Sequence, residues 1–246
     1  MEIPNFRDIG GIVVADGRRI RSGLLLRSAA LAGAKSDGLD RLQAGGLAHV
    51  VDLRTDQEIS DRPDPHMEGV AEHHMDVFGP TKAQGVADLS DLAIDTSQAL
   101  TSMLSAYRNM VALPSAHEAY RQFLGLALRG EPLLFHCTEG KDRTGWGANL
   151  LLTLLTASED QIQADYLQSN TGLIEQNAAF RKQITATTPD ISPAVMDIYL
   201  GVEPAYLQAA RDEADRRFGS LQGYITEALG FDAASVTELR RVYLTD

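Results

Sequence analysis

Residues 115–157 constrain the architecture more than any other stretch, because an amphipathic helix, a short apolar strand, a tight loop and a second helix follow one another without a break. Ser115 and Glu118 have the spacing of a capping box, and Tyr120, Phe123, Leu124, Ala127 and Leu128 form an apolar stripe that stops at Gly130. The strand is "EPLLFHC", the loop "TEGKDR", and "TGWGANLLLTLLTA" opens the helix behind it. Helix, strand, loop and helix in that order predict an α/β fold, a mostly parallel central sheet flanked by helices.

Elsewhere the chain supplies the partners such a sheet needs. The runs at 23–28 and 47–55 read as buried strands separated by a short helix in "SDGLDRLQAGG", and "EHHMDVF" at 72–78 reads as another strand. Asp16-Gly17 between β-formers predicts a hairpin turn. Helix N-caps are expected at Ser158 with Gln161, at Ser192 before Pro193, at Ser220 and at Asp232, so 158–246 reads as mainly helical. Residues 79–113 mix small, polar and acidic residues without a clean period; they read as an irregular excursion, partly helical at 98–112, and as a candidate lid. The carboxylates at 88, 91 and 95 read as a solvated face. No linker or repeat divides the chain, so 1–246 is expected to form a single domain.

Lys and Arg number 22 against 34 Asp and Glu, a net charge of −12, which disfavours nucleic acid or an anionic membrane as the main partner. Cys137 is the only cysteine, so no internal disulfide forms and a reducing compartment is the simpler reading. "MEIPNFRDIGG" has neither a basic nor an apolar leader region, and "LLLTLLTA" is too short to cross a bilayer. The expectation is a cytoplasmic monomer, with leaderless export still open.

The loop explains what one thiol can do in such a chain. Backbone N–H groups between a strand end and a helix start converge on one spot, and the helix dipole adds to their field. Such a nest binds a phosphate-sized anion and draws a cysteine towards thiolate, with pKa values in comparable settings of roughly 3.5 to 7.5. Arg143, six residues after Cys137, can grip two phosphoryl oxygens. Gly140 and Gly145 allow the sharp path, and Thr144 can offer its hydroxyl to the sulfur. These parts predict phosphoryl transfer to Cys137 and hydrolysis of the phosphocysteine, with no metal or organic cofactor.

Cys-x5-Arg-Thr preceded by His136 resembles the signature of the cysteine-dependent protein tyrosine phosphatases, and "HCTEGKDRTG" looks like its bacterial branch. "NFRDIGG", "LLRSAAL", "VVDLRTDQE", "DYLQSN" and "GVEPAYLQAA" resemble that branch's other shared segments, so the likeness spans nearly the whole chain. The resemblance implies a tyrosine-phosphatase-like fold with Cys137 as nucleophile and Arg143 as phosphate-binding arginine. Thr138, Glu139, Gly140, Lys141, Thr144 and Gly145 fall in or beside the phosphate-binding loop. Lys141 is implied to favour highly charged headgroups, and Glu58 to border the pocket. Expected partners are phosphorylated proteins or peptides, with phosphoinositides as a further class and inorganic phosphate as product. The chain lacks the Trp-Pro-Asp tripeptide that supplies the general acid in many tyrosine phosphatases. Asp142, the carboxyl nearest the nucleophile in sequence, is the first choice for that role and Asp76 the second.

Plainer readings compete at several positions. His136 reads as a structural residue bonding the loop backbone, and His66, His73 and His74 as polar surface, since no metal-ligand spacing joins them. Arg54 with Asp52 fits either a buried ion pair or a phosphate ligand at a strand end. Arg7 and Asp8 read as support behind the site. "EGKDRT" fails the nucleotide-loop pattern, because Phe135 and Asp142 stand where it needs a glycine and a hydroxyl residue. A rhodanese-like loop has one residue fewer before its arginine. Three functions stay in competition: a protein tyrosine phosphatase, a phosphoinositide or dual/triple-specificity phosphatase, and a non-enzymatic module that reads phosphate.

Overall fold

The computed structural model describes residues 3–79 and 95–245. Its sheet has five strands in the order β1-β2-β5-β3-β4: β1 Arg7–Asp8, β2 Leu25–Ser28, β3 His49–Asp52, β4 Ala71–His74 and β5 Leu133–His136. All neighbours are parallel except β1, which runs antiparallel along the edge. Strand β5 is central and buried along its whole length, which is why its first three residues, "LLF", are apolar without a break where a half-exposed strand would alternate; the fourth, His136, is a buried polar residue. Leu133 and Phe135 face the larger core while Leu134 faces a smaller one with Val50, Leu42 and Val70, as the twofold alternation of side chains requires.

Register decides where the site lies. His136 pairs with Ser28 on one side and Asp52 on the other, so three strands end level and the segments leaving them emerge together. A cleft outside the carboxyl ends of parallel strands is where α/β proteins place ligands.

The helices are α1 Ser36–Ala44, α2 Asp56–Asp61, α3 Thr96–Ala112, α4 Pro114–Ala127, α5 Arg143–Leu154, α6 Glu159–Gly172, α7 Ile174–Thr187, α8 Pro193–Leu200, α9 Pro204–Phe218, α10 Leu221–Gly223 leading into a π-helical turn Tyr224–Ala228, and α11 Ala233–Tyr243. Residues 143–152 of α5 are all buried, so this helix runs through the core and the loop ahead of it is anchored at both ends. None of the described helices is long and apolar enough to cross a membrane.

Most local expectations hold, and the exceptions have physical causes. Ser158, Ser192, Ser220 and Asp232 cap their helices as expected. Ser115 does not: Leu113 occupies the N-cap of α4, Pro114 with its fixed φ begins the first turn, and the Ser115 hydroxyl donates instead to the Val77 carbonyl at 2.9 Å. The Asp16-Gly17 turn forms with Gly17 at φ +87°, but the ladder behind it is a single bridge, Val13 to Arg19, flanked by backbone bonds from Val14 to Arg18 and from Ile20 to Ile12, and Ile20 also pairs with Leu244. Within the 79–113 excursion, residues Thr96–Ala112 form α3, and Asp95 caps it while remaining exposed to solvent as expected. Residues 80–94, including the carboxylates at 88 and 91 and with them most of the candidate lid, lie outside the described residues.

Candidate active site

Cys137 leaves β5 and Arg143 begins α5, so the loop between them spans the strand-to-helix junction. Its carbonyls are held by the surrounding protein. Thr138 O accepts from the Ala30 amide at 3.1 Å, Glu139 O from Asn5 Nδ2 at 3.0 Å, and Gly140 O from Asn5 Nδ2 at 3.0 Å and Arg27 Nη2 at 2.8 Å. His136 Nδ1 lies 3.2 Å from Cys137 O, and Tyr120 donates to Arg143 O at 3.0 Å. Among the described residues no acceptor pairs with the backbone N–H groups of Thr138 to Asp142. A turn whose carbonyls are engaged outward keeps its amides for an anion, and the first turn of α5 adds its dipole.

Gly140 makes the path possible. It sits at φ +66°, and a Cβ built there would lie 1.9 Å from the Ser28 carbonyl oxygen. Gly140→Ala is expected to cost about 2–4 kcal/mol, combining left-handed backbone strain with overpacking, read as a drop in the urea midpoint of unfolding.

Behind the loop lies a buried polar network. Asp165 of α6 takes Arg7 Nε at 2.7 Å on one oxygen and Arg27 Nη1 at 2.5 Å on the other, and Arg27 is fully buried. Asn5, at φ +54°, accepts from Arg7 Nη1 at 2.7 Å and donates to Ser169 as well as to the loop. Burial pushes the Asp165 carboxyl up, but Arg27 and Arg7 outweigh it and hold it below the usual range. Burial and the like charge of Arg27 pull Arg7 down to about 10.

Arg143 is clamped from the other side. Its Nη1 and Nη2 meet the two oxygens of Glu58 at 2.6 and 2.7 Å, and its guanidinium lies 5.3 Å from the centroid of the Phe78 ring. Glu58 also caps its own helix by accepting from the Thr55 amide at 2.9 Å, and it accepts from the Thr138 hydroxyl. Burial raises the Glu58 carboxyl, yet the Arg143 charge and hydrogen bonds carry it far below the carboxylate range; Arg143 is displaced upward against its own burial, by Glu58 and then by Cys137.

The expected phosphate-binding residues divide accordingly. Thr138, Gly140 and the amides around them line the loop. Glu58 borders it as expected and holds Arg143; as a carboxylate it would repel phosphate, so it is not itself a phosphate ligand. Arg54 is not at the loop: its guanidinium bonds Asp52 at 2.6 Å, Asp64 at 2.9 Å and the Arg62 carbonyl at 2.8 Å, which makes it the buried ion pair of the two earlier alternatives. Asp64 in turn lies 3.0 Å from His136 Nε2. Asp52, Asp64 and His136 bring metal-ligand atoms together, but the Arg54 cation already sits between the two carboxylates. His66 pairs with Glu72, His73 with His49, and His74 with the Arg54 carbonyl.

Lys141 is buried, its ammonium between Glu139 at 2.8 Å and the Tyr199 carbonyl at the end of α8. Burial pulls it down, but Glu139 and Asp142 outweigh that and raise it. Gly145 lets the Tyr166 ring approach to 3.0 Å of where a Cβ would stand. The Thr144 hydroxyl is buried with no hydrogen-bond partner among the described residues, and Cys137 is 2% exposed. Asp142 is half-buried and accepts from the Tyr107 hydroxyl at 2.7 Å. Asp76 accepts from the Phe78 and Gly79 amides, both at 2.9 Å, and so shapes the turn that sets Phe78 under Arg143. Asn5, Arg27, Asp165 and Tyr107 were not singled out from sequence. Two signals were there: an arginine inside the apolar run "LLLRS", and the buried helical stripe Ile162, Asp165, Tyr166, Ser169.

A model of the tyrosine phosphatase family matches residues 1–245. A protein of Cupriavidus necator, whose name assigns it provisionally to the tyrosine-protein phosphatases, is 38% identical over 246 residues, 98% of this chain and 86% of that one. The triple specificity protein phosphatase PtpB of Mycobacterium tuberculosis is 31% identical over 271 residues, 98% of this chain and 96% of that one. Among solved structures, that of P. aeruginosa TpbA in complex with pTyr is a far weaker likeness, 14% identical with a TM-score of 0.32, over 78% of this chain and 89% of that one. A family match over residues 1–245 and relatives aligned along nearly all of its length agree with the loop geometry: the chain belongs to the tyrosine phosphatase family.

Proposed function

We propose that the protein hydrolyses phosphotyrosine in proteins or peptides through a phosphocysteine on Cys137. The observation that carries this reading is the loop whose carbonyls are bound outward while its amides, Cys137 and Arg143 share one junction. The Cys137 thiolate attacks phosphorus as the bond to the tyrosyl oxygen breaks, and Asp142 protonates that leaving oxygen. The amides of Thr138 to Thr144 and the Arg143 guanidinium hold the equatorial oxygens, where charge is spread in the transition state. Glu58 occupies one edge of that guanidinium and fixes its orientation, Nη1 also reaches the Leu53 carbonyl at 3.5 Å and Nη2 the Thr138 hydroxyl at 3.4 Å, and Nε–H, which has no partner among the described residues, is the donor left for phosphate. Water then attacks the phosphocysteine, Asp142 takes its proton, and inorganic phosphate and the thiolate are released. No step calls on a metal.

A phosphoinositide substrate is the second reading. The cation that would favour a multiply phosphorylated headgroup is Lys141, and its charge is buried against Glu139, which supports phosphotyrosine instead. The triple specificity in the name of the Mycobacterium relative favours a broader range of phosphorylated residues. Phosphate release from phosphotyrosyl peptides, phosphoseryl peptides and phosphoinositides tests the order: kcat/KM is expected to be highest for phosphotyrosyl peptides. A preference for inositol lipids would reverse the substrate assignment, and capture of phosphopeptides with no release from any of them would leave a binding module. Acid quenching during turnover of a 32P-labelled peptide is expected to trap label on the enzyme.

A further inference from the structure

The hydroxyl of Tyr107, on α3, donates to Asp142 Oδ1 at 2.7 Å, and the Tyr166 hydroxyl, on α6, lies 2.6 Å from that of Tyr107. A phenol has one proton to give. Tyr107 commits its own to the carboxylate, so Tyr166 is the donor in the second contact. The chain cannot be reversed at low cost, because among the described residues the Tyr166 hydroxyl has no hydrogen-bond partner other than Tyr107, and its proton would be buried without an acceptor.

Both rings are held in place. Tyr107 and Tyr166 are 0% and 1% exposed; they meet edge to face at 6.4 Å, and Tyr206 of α9 packs 5.6 Å from Tyr107. Burial first, and then the Asp142 charge, raise both phenols well above their ordinary range, so they remain neutral donors.

A carboxyl group that accepts on Oδ1 carries its acidic proton on Oδ2. Resting on the reading of Asp142 as general acid, we infer that Tyr107, backed by Tyr166, is a positioning residue that fixes the Asp142 carboxyl and places on Oδ2 the proton given to the leaving oxygen. In the step it serves, the phosphorus–oxygen bond breaks, its electron pair goes to the leaving oxygen, and that oxygen takes the proton from Asp142 Oδ2. The next step returns a proton from water to the same carboxylate.

Protonation matters in proportion to the basicity of the leaving group, which separates this role from general support of the fold. Phenyl phosphate has a basic leaving group and 2,4-dinitrophenyl phosphate an acidic one. Tyr107→Phe is expected to lower kcat on phenyl phosphate by roughly ten- to a hundred-fold, the weight of one hydrogen bond to a charged group, with KM unchanged and 2,4-dinitrophenyl phosphate slowed by under about twofold. Tyr166→Phe, which keeps the direct bond to Asp142, is expected to show a smaller loss with the same selectivity, and it keeps the question open to test should Tyr107→Phe fail to fold. In an Asp142→Asn background Tyr107→Phe is expected to add no further loss. Equal slowing of both substrates by the tyrosine variants, or an undiminished Tyr107→Phe effect on top of Asp142→Asn, would overturn the inference. Asp142→Asn by itself reads the underlying assignment: if it slows both substrates alike, Asp142 is not the acid and the inference falls with it, whereas trapped phosphocysteine would still stand.

Discussion

Cys137→Ser is expected to lower kcat on a phosphotyrosyl peptide by on the order of 10⁶-fold, the scale of loss when a covalent nucleophile is removed from an intact site. The substitution is close to isosteric, and none of the hydrogen bonds that set the loop's path uses the sulfur: they run from Ala30, Asn5, Arg27 and His136 to backbone carbonyls. The folded structure and the capture of inorganic phosphate should therefore survive. What is lost is the nucleophile itself, since an alcohol is a weak nucleophile unless a base takes its proton. A serine would need a base, and His136 is not placed to serve: it is fully buried, its Nδ1 lies 3.2 Å from the Cys137 carbonyl oxygen and its Nε2 lies 3.0 Å from Asp64. Single-turnover rates with the variant, together with thermal melts with and without phosphate, check this. Turnover within about a hundredfold of the parent would exclude the covalent route, and loss of phosphate-induced stabilisation would show that the loop itself had changed.

The legibility of this site in the sequence follows from how locally each part is determined. Cys137, Arg143 and the glycine between them lie within seven consecutive residues, so one strand end and one helix start are enough to bring them together. Caps such as Ser158 and Asp232 are equally local, each accepting from an amide three residues on. Arg27 depends instead on Asp165, 138 residues away, and alone it reads only as an interruption in an apolar run. Strand β1 is two residues long and offers no period to detect. Glu58 and Arg54 stand four apart and both looked fit to border the pocket, but the turn capped by Thr55 directs Glu58 to Arg143, while Arg54 closes on Asp52 and Asp64 beside His136. Tyr107 lies in a stretch without clear periodicity, and its value appears only once α3 and α6 pack around Asp142. Contiguous geometry was readable, whereas support assembled from distant charges was not.

Asp165→Asn is expected to destabilise the protein by about 3–5 kcal/mol, the usual cost of removing one partner from a buried ion pair. The arrangement makes the upper end of that range reasonable, because two guanidiniums depend on this carboxylate, Arg27 is fully buried, and its charge already lowers Arg7. An amide replaces a charge-compensating acceptor with a neutral group, leaving two like charges side by side in a poorly solvated space. Activity should fall as well among molecules that stay folded, since the Arg27 nitrogen that reaches Gly140 O is positioned from the Asp165 side. The pH dependence supplies a second signature. The Asp165 carboxyl is depressed in the folded state, burial notwithstanding, by Arg27 and Arg7; its stabilisation is therefore present above the unfolded value of about 3.9 and is lost as pH falls through the folded one. Urea unfolding from pH 7 downward should show the gap between parent and variant wide near neutrality and narrowing below about pH 4. A gap under about 1 kcal/mol at pH 7, the size expected of exposed pairs, would mean that water reaches Arg27 and that the loop is held from behind by Asn5 alone.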